Sequence, residues 1–249
     1  MTEIWISAIA LAGSTLLGAL IGFAVKELPH SWTDTIMGYC AGLMLAAATI
    51  GLILPASELA PEGGWWMVPV GVILGAMFLN LLDRVTPHMH HITGLDQEEH
   101  RTNANLNRVL LFVVAIAIHK FPEGLAAGVS FNTGDVSDGL SLSFALSIQN
   151  VPEALVIIAP LLLAGVSKLR TLLIAFGIGL LEIIGLWVGY GLGTISQAFL
   201  PIMLAFAGGS MLYIVSDEMI PETHSHGHHK PATYALLLGF LTMLFIDTL

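Results

Sequence analysis

Charge is scarce in this sequence. Lys, Arg, Asp and Glu together make up 10% of its 249 residues, where a soluble domain carries about 25%. With 55% apolar residues and a mean hydropathy of +0.83, a soluble globular domain is excluded. What remains is a polytopic membrane protein, read as a single domain over residues 1–249 with the lipid bilayer as its surroundings. Cysteine is almost missing too: Cys40, the one copy, lies in an apolar run, cannot form an intrachain disulfide and reads as a packing residue. Basic residues number eight against eighteen acids, with no basic patch, which argues against a nucleic-acid partner. No Lys or Arg precedes the first apolar stretch, and that stretch is about 21 residues long. It is therefore expected to stay as a span rather than be cleaved as a signal peptide.

Long apolar runs are what the sequence does have. A spanning helix needs about 20 mainly apolar residues. Eight candidates qualify: Ile4–Val25, Thr35–Ser57, Trp65–Leu82, Arg108–Phe131, Gly139–Ala164, Leu169–Leu192, Phe199–Ile220 and Ala232–Leu249. The basic residues orient them. Lys26, Arg84, Arg101, Arg108, Lys168, Arg170 and Lys230 all flank odd-numbered connections, and none flanks an even-numbered one. The positive-inside rule makes the odd side cytoplasmic. The expectation is a multi-pass protein of the cell (inner) membrane with both termini outside the cytoplasm. The outer connections carry Glu58, Glu62, Asp135 and Asp138. Two cytoplasmic segments are rich in histidine: the loop 83–107 with His88, His90, His91 and His100, and the connection with His224, His226, His228 and His229. Such tracts bind metal in some proteins and are plain solvated loops in others.

Two copies of one pattern interrupt the apolar runs. His119-Lys-Phe-Pro-Glu-Gly-Leu lies in span four and Gln149-Asn-Val-Pro-Glu-Ala-Leu in span five. Each places a metal-ligand type first, proline fourth, glutamate fifth and leucine seventh. A carboxylate inside a membrane costs at least a few kcal/mol unless it has a partner or faces water. On a helix, His119 and Glu123 share a face, as do Gln149 and Glu153. Pro122 and Pro152 cannot donate to the carbonyls of Ile118 and Ile148, which frees those oxygens for a ligand or water. An imidazole, a carboxamide oxygen and two carboxylates suit a borderline divalent transition metal. Glu182, in mid-span six, has no basic neighbour on its own helix, and the same pocket is its natural destination. Met44 in span two offers a thioether, though most methionines simply pack. The plainer alternative is a structural ion pair between Lys120 and a glutamate.

These residues resemble the ZIP (Zrt-/Irt-like) divalent-metal transporters, whose signature is His-x-x-Pro-Glu-Gly in the fourth span and Pro-Glu in the fifth. The short loops and Ser216-Asp-Glu-Met-Ile-Pro-Glu-Thr-His resemble the family's prokaryotic branch. The resemblance implies an all-α bundle of eight transmembrane helices in a 3+2+3 inverted repeat, with a homodimer as an expected partner state. It implies a binuclear site between spans two, four, five and six. One metal would use His119, Glu123, Gln149 and Glu153, with Met44 added. The second would use positions 120 and 150, the two motif glutamates and Glu182. Here the sequence departs from the family: Lys120 stands where Asn is usual, and Asn150 where some members have Asp. A charged ammonium has no lone pair and cannot ligate. The expectation is therefore one metal beside a tethered cation.

The expected function is uptake of divalent transition metals, zinc first, with iron, manganese, cobalt and cadmium also suited. The metal is substrate; no catalytic cofactor is expected. Glu58, Asp135, Asp138 and Asp247 would gather cations outside, and Asp217, Glu218 and the histidine segments would receive them inside. Alternating access is the expected motion. The rival readings are an intramembrane metal-dependent hydrolase, which would need a general base and an open water position, and a metal sensor read out by the histidine loops.

Overall fold

The computed structural model describes residues 1–24, 29–92, 117, 120–163, 166–195, 197–224, 227 and 229–247, and among these the regular structure is helical throughout. In chain order, α1 is Thr2–Ala24. α2 begins as His30–Ala46, widens into a π-helical turn over Ala47–Ile53 and closes as Leu54–Leu59. α3 is Met67–Ile92. The described part of α4 is residues 120–130. α5 is Val136–Leu163 and α6 is Lys168–Ile195. α7 runs through Leu200–Ile214, a second π turn at Val215–Met219, and Ile220–His224. α8 is His229–Asp247. Among the described residues, five helices are long and apolar enough to cross a membrane: Thr2–Ala24, Ser31–Leu59, Lys168–Thr194, Leu200–His224 and His229–Ile246.

Most helix ends fall within a few residues of the expected spans. The departure is α3, which was expected to stop at Leu82 and instead stays helical to Ile92, through Asp83, Arg84 and Pro87. The loop expected over 83–107 thus begins as helix. Polarity marks where lipid ends; it does not stop a backbone ladder that satisfies itself in water as well. Residues 93–107 and most of the expected fourth span, His119 included, lie outside the described residues.

Four seams of close contact define the packing. α1 lies along α5, α2 along α8, α3 along α7 and α4 along α6, with α1 also touching α6. Small residues permit this, as is usual between membrane helices. A methyl group added at Gly18 would come within 2.7 Å of the Ala154 Cβ, and one at Gly22 within 2.9 Å of the Ile158 Cβ. The other seams repeat the arrangement: Gly38 and Gly42 against Ala232 and Leu236, Gly71 and Gly75 against Ile202 and Phe206, Gly124 and Gly128 against Glu182 and Leu186. In every seam both helices advance four residues together, so every seam is parallel. Each joins two odd-numbered or two even-numbered helices. Helices of like parity run the same way when consecutive helices alternate in direction.

The same pattern fits a 3+2+3 inversion. Exchanging α1 with α6, α2 with α7, α3 with α8 and α4 with α5 converts the α1/α5 seam into α6/α4, and α2/α8 into α7/α3. The two π turns occupy exchanged helices. Each ends two residues before a proline, Pro55 or Pro221, whose missing N–H cannot continue the ladder. The seams sort the helices into two groups of four: α1, α4, α5 and α6, and α2, α3, α7 and α8. α2 meets α5 across the boundary.

Candidate metal site

The first group gathers the intramembrane charges into one buried cluster. Glu123 comes from α4, Gln149, Asn150 and Glu153 from α5, Glu182 from α6, and Lys120 lies one turn before Glu123. Lys120, Glu123, Gln149, Asn150 and Glu182 are each at most 1% exposed, and the Glu153 side chain is 11% exposed. The glycine seam is what brings α6 close enough: the Glu182 backbone carbonyl sits directly against Gly124.

Lys120 is the hub. Its ammonium donates to Glu123 Oε2 at 2.6 Å, Asn150 Oδ1 at 2.7 Å and Glu153 Oε2 at 2.7 Å. An ammonium has three N–H groups, and all three are used. Asn150 turns its Nδ2 the other way, donating to Glu182 Oε2 at 2.9 Å and Oε1 at 3.0 Å, and to the Leu11 carbonyl on α1 at 3.2 Å. One carboxamide thereby ties together α1, α4, α5 and α6. Gln149 Nε2 makes long contacts of 3.5 Å with Glu123 Oε1 and Glu153 Oε2. Glu123 and Glu153 each give Oε2 to the lysine, while Glu182 meets Asn150. The expected meeting of Glu182 with the two motif glutamates is present, through Asn150 and Lys120.

The remaining expected ligands are placed less completely. Met44 is buried on α2, the helix that meets α5. His119 lies outside the described residues. Among the described residues, no three His, Cys, Asp or Glu side chains are arranged to hold a metal ion by themselves; Lys120 stands between the two motif carboxylates. Sequence reasoning missed Cys40. Its Sγ lies 3.9 Å from the Gln149 carbonyl oxygen, so it borders the cluster as well as packing. Its spacing of one turn from Met44 was the available signal.

The proposed access residues fall at the helix ends. Glu58 ends α2 and is exposed. Asp135 and Asp138 are exposed but already engaged: the Ser137 amide donates to Asp135 Oδ1 at 2.8 Å, and Thr133 Oγ1 donates to Asp138 Oδ2 at 2.6 Å. Asp135 is thus the N-cap of α5, and the Ser137 bonds hold its carboxyl below its ordinary pKa. Asp217 is exposed within the second π turn, with Glu218 beside it. The rings of His224 and His229 stack with centroids 5.3 Å apart. His100, His226 and His228 lie outside the described residues, as do the side chains of His88, His90, His91 and Asp247.

A family model described as ZIP zinc transporter matches residues 85–247. The chain belongs to the ZIP family. Relatives span nearly all of it. It is 40% identical over 241 residues to the zinc transporter ZIPB of Bordetella bronchiseptica, covering 94% of this chain and 77% of the relative. It is 38% identical over 244 residues to the zinc transporter GufA of Myxococcus xanthus, covering 95% of each. The human zinc transporter ZIP11 is 28% identical over 319 residues, covering 94% of this chain and 93% of ZIP11. Within a ZIP protein, a cluster of buried carboxylates between helices is in keeping with a cation path, and here a lysine ammonium stands at its centre.

Proposed function

We propose that this ZIP protein carries divalent transition-metal ions, zinc foremost, into the cytoplasm through the buried α4/α5 cluster. The observation that carries the reading is the convergence of Glu123, Glu153 and Glu182, three carboxylates from three helices, in a pocket that one lysine only partly neutralises. Glu123 Oε1, the second oxygen of Glu153, Gln149, His119 and Met44 are the ligands assigned to the transported ion. Mixed hard and soft donors favour breadth across zinc, iron, manganese, cobalt and cadmium over strict selection. That the bacterial relatives ZIPB and GufA are zinc transporters supports zinc as the principal cargo.

The inward direction and the inner-membrane location are proposed on family grounds, and the one-sided distribution of Lys and Arg supports both termini lying outside the cytoplasm. The division into two four-helix groups supports alternating access, one group moving against the other. A homodimer is part of the proposal on family grounds. Carriage, not hydrolysis or sensing, is the activity proposed. The test is zinc flux in proteoliposomes with a metal-sensitive dye inside. Wild type should admit zinc, and Glu123→Ala and Glu153→Ala should fall to the rate of empty liposomes. Full flux in both variants would remove the cluster from the path.

A further inference from the structure

We propose that Lys120 and Asn150 are a matched pair that limits the buried site to one divalent ion, the lysine ammonium standing where a second ion would sit. The inference rests on the reading that Glu123 and Glu153 hold the transported metal, and deepens it.

Three observations carry it. First, the ammonium sits among oxygens as a small cation does. Two carboxylate oxygens and one amide oxygen surround it at 2.6–2.7 Å, at or just below the short end of charge-assisted bonds. Second, both glutamates meet Lys120 through Oε2. Glu123 Oε1 points instead toward Gln149, and Glu153 faces Gln149 with the same Oε2 that it gives to the lysine. A metal on the Gln149 side shares the carboxylates with the lysine and has no need to displace it. Third, the charges balance for one ion. Glu123, Glu153 and Glu182 contribute three negative charges and Lys120 one positive. One divalent ion brings the cluster to neutrality. A second would leave two uncompensated positive charges in a pocket with almost no water, and unpaired buried charge is strongly disfavoured.

Asn150 is the other half of the device. Facing Lys120 it must accept, because an ammonium only donates; facing Glu182 it must donate, because a carboxylate only accepts. A carboxamide does both at once, as the bonds to Lys120 Nζ and to both Glu182 oxygens record. An aspartate at 150 would turn a carboxylate oxygen toward the Glu182 carboxylate. Conversely, an asparagine at 120 with Asn150 retained would leave three negative charges, too few for two divalent ions. Changing both positions gives four negative charges and a pocket vacated by the ammonium.

The test is equilibrium dialysis of the full-length protein in detergent against zinc ions, with bound zinc per chain read by elemental mass spectrometry. The baseline is Glu123→Ala/Glu153→Ala, which strips the site and leaves the histidine segments in place. Wild type should bind one ion above baseline, Lys120→Asn and Asn150→Asp no more than one, and Lys120→Asn/Asn150→Asp two. Size exclusion and thermal unfolding check that each variant is folded, and Lys120→Gln/Asn150→Asp substitutes if the double variant is not. Two ions on wild type, two on Lys120→Asn alone, or one on the folded double variants would overturn the proposal. No excess over baseline on wild type would instead strike the underlying assignment of the metal site.

Discussion

The two four-helix groups share a construction and differ in what they bury. Both are closed by parallel glycine seams, Gly18 and Gly124 in the first, Gly42 and Gly75 in the second. The first buries Lys120, Glu123, Gln149, Asn150 and Glu182 together. The core of the second is largely Ala, Leu and Met, with an Asn80–Tyr213 hydrogen bond of 2.9 Å joining α3 to α7. Seam chemistry is therefore common property and shapes the bundle. The buried cluster of charges belongs to one side, and Met44 and Cys40 on α2 lie at the boundary with it.

Substitutions of matched type in the two groups sharpen or break that contrast. The largest effect is expected for Glu123→Ala, which leaves the Lys120 ammonium buried without its 2.6 Å partner. Removing one member of a buried pair costs about 3–5 kcal/mol, so a large drop in thermal stability should accompany the loss of flux. Next come Gly124→Ala and Gly42→Ala, which push a methyl against the Glu182 and Leu236 carbonyls respectively. Overpacking costs about 1–3 kcal/mol in either seam. Zinc affinity, followed by titration, should weaken only for Gly124→Ala, because only that seam holds Glu182 in place. Equal weakening in both would erase the distinction. The smallest effect is expected for Tyr213→Phe, which removes one interhelical hydrogen bond worth about 0.6 kcal/mol in a membrane. Flux per folded protein should match wild type within assay error.

Much of this was legible in the sequence because charge is so rare in it. A carboxylate or lysine within an apolar run is visible at once, and the copied Pro-Glu motif fixed which helices face each other. Glu182 lies beside the motif residues through Asn150, and Lys120 lies between the two motif glutamates. What stayed illegible depends on contacts remote in sequence. The thiol of Cys40 meets the Gln149 carbonyl across 109 residues, and its one-turn spacing from Met44 names the face it shares but not the residue it meets. The two-sided role of Asn150 needs Leu11 and Glu182 in place at once. The π turns conform to the same apolar pattern as an α-helix, and only the prolines downstream hint at them. The run of α3 beyond Leu82 is hidden in the sequence because polar residues mark an end to lipid without marking an end to helix.

Because every tight seam is parallel, no helix has its chief partner next to it in the chain. In a bundle inserted from the N-terminal end, each seam waits for synthesis of its later half. The earliest to close are α1/α5 and then α4/α6, completed by the arrival of α5 and α6; α3/α7 and α2/α8 follow. Gly38 and Gly42 precede Ala232 and Leu236 by most of the chain, a delay of roughly 10–40 s at ordinary rates of elongation. The helices that carry Lys120 and its carboxylates thus have their partners on hand before the wall they face is finished, and the costliest charges spend the least time waiting in lipid.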